Sequence, residues 1–407
     1  MTLTAAVVAV GDELLLGDTV NTNASWLGNQ LAAVGVQVVA SAMVGDHLER
    51  MVVAIRRGLD DADIVLVTGG LGPTSDDITR DAVAAVAGVP LDRVAAMEDE
   101  LRARFASYGY AMPVEVLRQA DVPRGATVLD NPVGTAPGLR LEVGGKLVYA
   151  LPGPPHELQA VMVPVLVELA ERSGTVVVTR TVHTAGMGES AVAGLVEQTV
   201  EVPAGVALAY LAGSGMVRVR FTGTDPVVLA GLADQAVAVL GEAVWGRDGD
   251  RLDVVVHRLL AERGATVAVA ESLTGGLVGA ALSAMPGSSA TFRGSAVAYA
   301  TDLKESLVGV SAQTILDAGV ISAGVARQLA EGARSRLGAT YGIGITGVAG
   351  PSEQEGQPVG TVYLCVAGPD GQVARSARLP GDRDRVRALS VNAALDLLRR
   401  ALTGVAP

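Results

Sequence analysis

Ile64-Val65-Leu66-Val67-Thr68 runs straight into Gly69-Gly70-Leu71-Gly72-Pro73-Thr74-Ser75-Asp76-Asp77-Ile78-Thr79, an apolar strand closed by a glycine-rich loop. Upstream, the pattern alternates: an apolar strand from Ala5 to Val10, a helix near Asn23 to Val34, a strand from Val36 to Val44 and a helix from about Leu48 to Leu59. Strands that recur with a helix between each pair make a parallel sheet, so the chain reads as α/β. Downstream lie a hairpin over Leu139 to Ala150 that turns at Gly144-Gly145, and a helix after Pro154-Pro155; together they close a first domain over 1–172. From 175 to 245 the order becomes strand (Val176 to Thr184), helix (Glu189 to Thr199), hairpin (Val206 to Phe221 around Gly213-Ser214-Gly215) and helix (Pro226 to Leu240), a small α+β module. Its hairpin glycines serve a turn and are not the Gly-X-X-Gly loop that grips RNA. A linker from Trp245 to Asp250 leads into a third domain over 251–403.

Composition narrows the function. Half the chain is hydrophobic (49%) with 50 glycines, enough for full cores in two or three domains. The net charge of −12 and the absence of any basic run argue against direct nucleic-acid contact or an anionic membrane surface. The single cysteine, Cys365, sits in the apolar run Thr361 to Ala367 and excludes an internal disulfide. No apolar run approaches the roughly 20 residues of a spanning helix. The first cation is Arg50, so Ala5 to Val10 does not read as a signal peptide, and a cytoplasmic protein is expected.

Two glycine-rich loops follow strands near the N-terminus, Gly11-Asp12-Glu13-Leu14-Leu15-Leu16-Gly17 and the Gly69-Gly70-Leu71-Gly72 segment. The carboxyl edge of a parallel sheet is where ligands bind. Gly69, Gly70 and Gly72 would let amides approach phosphate, and Glu13, Asp76 and Asp77 are hard oxygen ligands for a divalent metal ion. The alternative for Asp76-Asp77 is capping of the next helix. Asn131 to Gly138 and Leu151 to Pro155 are expected to frame the same pocket. No Gly-X-Gly-X-X-Gly or Walker loop is present.

Cation usage points to a second site. Only two lysines, Lys146 and Lys304, stand against twenty-nine arginines. A guanidinium stays protonated, whereas a desolvated ammonium can shed its proton and act as a base. Upstream of Lys304, Ala270-Glu271-Ser272-Leu273-Thr274-Gly275-Gly276 joins an apolar strand to an apolar helix. Ser272 at that turn is the candidate nucleophile and Lys304 its base. Each has a plainer reading: Ser272 as a helix cap, Lys304 as a solvated residue. A rival serine pair lies in Gly287-Ser288-Ser289.

Taken together, Gly11 to Leu15, Thr68 to Asp77, Asn131 to Gly138 and Leu151-Pro152-Gly153 resemble the molybdopterin-binding-fold domain of the CinA (competence/damage-inducible protein) family. Gly186-Met187-Gly188-Glu189-Ser190 resembles the start of that family's KH-like module, and Ala270 to Gly276 its C-terminal nicotinamide-mononucleotide deamidase domain. The resemblance implies a three-layer αβα N-terminal domain, a KH-like α+β middle module and a C-terminal α/β deamidase domain. It implies hydrolysis of nicotinamide mononucleotide to nicotinate mononucleotide and ammonia, with Ser272, Lys304 and Tyr299 catalytic. Thr274, Gly275 and Gly276 would hold the oxyanion or the phosphate. Thr346-Gly347-Val348-Ala349-Gly350 resembles the family's second glycine loop, and Arg383 or Arg387 would bind phosphate. No cofactor is expected there. For the N-terminal domain the resemblance implies a metal-dependent pyrophosphatase for ADP-ribose-like nucleotides, with Glu13, Asp76 and Asp77 as ligands, or a binding domain. A homodimer is implied. The competing class is a non-catalytic nucleotide-binding or competence-associated accessory protein. Departures from the family pattern are Leu273 in place of a common cysteine, which leaves serine as the local nucleophile, Thr340 in place of an aspartate, and Ser352-Glu353 and Gln357 in place of a glycine pair and a lysine.

Overall fold

The computed structural model describes residues 3–107, 109–174 and 177–405, in two compact units that divide at Val178/Thr179. In the first unit, β1 (Leu3–Val10) lies between β2 (Val36–Val44) and β3 (Ile64–Thr68), all parallel. A short antiparallel pair, β4 (Leu91–Arg93) with β5 (Asp121–Pro123), stands apart from the main sheet. That sheet continues from β3 through β8 (Lys146–Leu151) and β7 (Gly138–Val143) to β6 (Thr127–Leu129), in the order β2-β1-β3-β8-β7-β6. Side chains alternate across β1 because a strand has period two. Ala6, Val8 and Val10 face one core with Met51 and Ile55 of the helix Leu48–Asp61; Ala5 and Val7 face another with Leu27, Leu31 and Leu158. The result is three layers, αβα. The chain leaves β1 toward β2 and later returns on its other side as β3, so the carboxyl end of β1 is a topological switch point.

The second unit opens with a four-stranded sheet ordered β10-β11-β9-β12, where β9 is Val178–Ala185, β10 Ala207–Gly213, β11 Met216–Gly223 and β12 Val244–Arg247. The expected start of the first of these strands, Val176, lies outside the described residues. Part of the expected linker is strand instead: Val244 to Arg247 pairs with β9, and Trp245 stacks on His183 with ring centroids 4.8 Å apart. The segment Pro226–Ala243 is long and apolar enough to cross a membrane by length and composition, more than the sequence reading allowed. Its Leu229, Leu232, Ala233, Ala236 and Leu240 are buried side chains of the module.

The remaining sheet runs β14-β13-β15-β16-β17: β13 (Val267–Glu271), β14 (Phe292–Val297) and β15 (Tyr341–Gly347) are parallel, while β16 (Thr361–Gly368) and β17 (Gly371–Arg378) turn back antiparallel. Val267 and Val269 face a core with the helices Leu252–Glu262 and Arg383–Thr403; Ala268 and Ala270 face Val325 and Leu329 of the helix Ala323–Arg336. That helix presses so close that a Cβ on Gly344 of β15 would collide with Ala326 O and Ala330 N. β13 sits between β14 and β15, so its carboxyl end is again a switch point, and Ser272 is the next residue.

Candidate active site

Ser272 leaves β13 with its N–H bonded to Ile345 O (3.1 Å), tying it to the end of β15. It is half-buried on a cleft of about 150 Å³ whose walls include Tyr299, Thr301, Lys304, Thr346, Gly347, Gly350, Ser352, Gln354 and Arg383. The rival serines at 288 and 289 are not among those walls.

Lys304 lies in the helix Thr301–Val308 with 2% of its surface exposed. Its Nζ donates to Ala298 O (2.9 Å) and Tyr299 O (3.0 Å). Burial pushes its pKa below the ordinary lysine value, against the opposing pull of Glu355 and Asp302. A neutral amine keeps two N–H donors for those carbonyls and gains a lone pair, so the site tolerates the base form without losing a hydrogen bond. Among the described residues no hydrogen bond joins Lys304 to Ser272; what they share is the cleft.

Tyr299 acts through both ends. Its carbonyl holds Lys304, and its hydroxyl accepts from Arg383 Nη2 (2.8 Å), while Arg383 Nη1 donates to Gly350 O (2.7 Å). Arg383 has five N–H donors and uses two here, which leaves three for an anion at the cleft mouth. Thr346 is buried and spends its hydroxyl on Val320 O (2.8 Å).

Three expected site residues stand elsewhere. Thr274, Gly275 and Gly276 do not line the cleft. Gly275 N–H is given to Ser272 O (3.1 Å), and Gly276 N–H to Glu271 Oε2 (3.0 Å), so neither amide is free for an oxyanion or a phosphate. Thr274 is fully buried, with its Oγ1 unpartnered. Arg387, the other candidate for phosphate, is spent on Leu273 O (3.2 Å) and Thr274 O (3.0 Å) and braces the serine loop.

The N-terminal switch point carries a second cleft of about 220 Å³, lined by Glu13, Asn21, Asn23, Asp46, Gly69, Gly70, Asp76, Asp77 and Gly153 among others. Gly69 and Gly70 have φ of 99° and 65°, the left-handed region open to glycine, and a Cβ on Gly69 would meet Val10 O at 2.5 Å. The backbone path accounts for these two glycines without a ligand. Gly72 does not line this cleft; its carbonyl accepts from Arg80 Nη2 (2.7 Å). The Asn131 to Pro137 loop lines a different cavity, with Arg104, while Gly153 and Pro155 do face the cleft.

The expected metal triad does not assemble. Asp77 Oδ2 accepts from Thr74 N (2.9 Å) and Thr74 Oγ1 (2.5 Å), which closes a turn rather than caps the helix Thr79–Ala87. Asp76 is exposed, and the neighbouring Thr74 side chain holds its pKa below the usual carboxylate value. Burial, and after it the charges of Asp12, Glu13 and Asp76, push Asp46 up, against the Asp12 N–H bond that favours its ionised form. Among the described residues no three His, Cys, Asp or Glu side chains converge as metal ligands, so Glu13, Asp76 and Asp77 do not fit a divalent-metal cage. Among the described residues the lining of this cleft carries four carboxylates and no Lys, Arg or His, a charge balance unfavourable to a bare phosphate.

Comparison with known proteins places the whole chain. Residues 6–172 match the "Probable molybdopterin binding domain", 179–246 the "Damage-inducible protein CinA KH domain" and 250–402 the "CinA C-terminal domain". A CinA-like protein of Frankia casuarinae is 48% identical, over 98% of this chain and 96% of its own. The chain belongs to the CinA family. A CinA-like protein of Gemmatimonas aurantiaca is 41% identical over 97% of this chain and 95% of its own. The solved structure of a CinA protein of unknown function from Thermoplasma acidophilum is 37% identical, covering 41% of this chain and 98% of its own with a TM-score of 0.39.

Within this CinA-family chain the departures from the family pattern now have addresses. Ser352 and Gln354 line the cleft beside Ser272, and Gln357 pairs with Gln354 through backbone hydrogen bonds (2.9 and 3.2 Å). Thr340 sits at the amino end of β15, paired with Thr266 (3.1 Å), whereas the cleft lies at the carboxyl end. Leu273 is buried and walls the cleft. The sequence reading named Ser352 only as a departure from the family pattern and missed Thr301 and Gln354 in the cleft, and above all Glu271, whose place next to Ser272 was the available signal.

Proposed function

We propose that the C-terminal domain is an amidohydrolase that converts nicotinamide mononucleotide to nicotinate mononucleotide and ammonia, with Ser272 as nucleophile and Lys304 as base. The observation that carries this reading is the buried amine of Lys304, its pKa lowered by burial, opening on the same cleft as a serine hydroxyl that has no hydrogen-bond partner among the described residues. The substrate is supplied by the family resemblance, and the cleft supports it: Arg383 offers spare donors at its rim, where a nucleotide phosphate would sit.

In the proposed reaction neutral Lys304 takes the Ser272 proton as Oγ bonds to the amide carbon, and the carbonyl π pair moves onto oxygen. Collapse of that oxyanion breaks the C–N bond, with the proton on Lys304 passing to the departing ammonia. Water then attacks the ester as its proton passes to Lys304; collapse breaks the ester C–O bond, Lys304 returns that proton to the departing Ser272 Oγ, and the acid loses its own proton to solvent and leaves as the carboxylate. No metal is required, and the N-terminal cleft has no part in these steps.

The full chain incubated separately with nicotinamide mononucleotide and with ADP-ribose, with and without a chelator, tests the proposal against the accessory-protein reading. Chelator-insensitive ammonia release from the mononucleotide is the expected result. No turnover of either compound would instead favour the non-catalytic class.

A further inference from the structure

Glu271, the last residue of β13, is fully buried, although its side chain is a carboxyl group, and it immediately precedes the nucleophile. Its carboxylate turns forward along the chain rather than into the cleft. Oε2 accepts from Gly276 N (3.0 Å) and Val278 N (3.0 Å); Oε1 accepts from Gly279 N (2.8 Å) and Ser295 Oγ (2.7 Å). Four donors on two oxygens fill an acceptor-only group, which is how a buried charge is made tolerable. Gly279 makes the approach possible: a Cβ there would sit 2.7 Å from Ser295 Cβ and 3.3 Å from Glu271 Oε1.

The consequence lies in which amides remain. The start of the helix Leu277–Ser283 already has its negative partner, so its dipole and its N–H groups are not on offer to substrate. Gly275 N–H closes the loop on Ser272 O, and Ser272 N–H is given to Ile345 O. Between them, the amides of Leu273 and Thr274 find no acceptor among the described residues, and Leu273 walls the cleft. A serine at a strand-to-helix turn has the next residue's N–H as its natural oxyanion donor.

We propose that Glu271 is a positioning residue for Ser272: by claiming the amides of Gly276, Val278 and Gly279 it fixes the loop so that the Leu273 amide, the one of the two that borders the cleft, receives the oxyanion. This rests on the deamidase reading for its substrate, but the loop mechanism applies to any acyl or phosphonyl centre attacked by Ser272. Glu271→Gln keeps size but turns an NH2 group toward backbone donors, so at least one of the four bonds is lost.

The test uses the full chain and two readouts. One is the rate at which a fluorophosphonate labels Ser272, followed by mass spectrometry; the other is kcat and KM for ammonia release from nicotinamide mononucleotide. Glu271→Gln is expected to slow labelling at least tenfold and lower kcat about a hundredfold, the scale of one lost oxyanion donor, with KM within about threefold. A purely structural Glu271 would lower the melting temperature and leave the rate per folded molecule unchanged, which would overturn the proposal. If Glu271→Gln does not fold, Ser295→Ala carries the test: labelling slowed about three- to tenfold supports it, and a wild-type rate overturns it. Slowed labelling of the variant alongside a wild-type chain that labels but releases no ammonia would sink the substrate assignment and leave the positioning role standing. A wild-type chain that does not label at all would sink both.

Discussion

Replacing Lys304 by arginine keeps a cation and removes a base, and the structure sets the size of the effect. Burial penalises the charge of lysine here and lowers its pKa; guanidinium cannot follow, since its proton is held far more tightly. General-base catalysis is worth roughly 10²–10⁴ in rate, so Lys304→Arg should lower kcat about a thousandfold, or about 4 kcal/mol of barrier. The pocket offers Ala298 O and Tyr299 O to five donors, so buried N–H groups go unmet at about 1–3 kcal/mol each and the variant should also melt lower. Lys304→Met separates the two effects, because it removes the base without burying a charge. For wild type, kcat/KM should climb as pH rises through the pKa of Lys304, which lies below the ordinary 10.5. Stability carries the same sign. The unfolded lysine binds its proton more tightly than the folded one, so stability increases with pH from the depressed folded value up to about 10.5 and is flat below that window. Lys304→Met should lack both the alkaline rise in stability and the activity. Ammonia release measured from pH 6 to 10, with matched thermal melts, checks each part. An arginine variant that turns over within threefold of wild type with the same pH profile would refute the argument.

Other consequences follow from contacts already described. Arg383→Ala should raise KM about tenfold with kcat within threefold, because it removes spare donors at the cleft rim while Lys304 stays held by carbonyls; steady-state kinetics on nicotinamide mononucleotide decide this. Asp396→Ala should destabilise the second unit by about 3 kcal/mol, a melting shift of roughly 10 °C, because the buried carboxylate accepts from both Arg399 (2.7 Å) and Arg400 (2.9 Å); calorimetry would register it.

Much of this molecule is legible in its sequence because period and punctuation are local. The strand Ile64–Thr68 and the helices Glu189–Thr199 and Leu48–Asp61 follow from apolar spacing and flanking breakers. The pairing of Ser272 with Lys304 on one cleft was readable from residue choice alone: one lysine spared in an arginine-rich chain, one serine at a strand end. What was not readable depends on where hydrogen bonds go after folding. A glycine pair after a strand looks like an anion cradle, yet the Gly276 amide is claimed by a glutamate five residues back. Three acids near two glycine loops look like a metal site, yet Asp77 turns to Thr74. Trp245 to Arg247 has the composition of a linker and becomes strand only because β9 has a free edge to pair with.

The most direct trial of the central claim is product analysis with Ser272→Ala beside wild type, both as full chains with matched melting curves. Wild type should form nicotinate mononucleotide and ammonia in equal amounts, and the alanine variant should lose at least a thousandfold in rate, since it removes the hydroxyl assigned as the attacking group. An alanine variant that still releases ammonia at the wild-type rate would mean that the hydroxyl of Ser272 is not the attacking group.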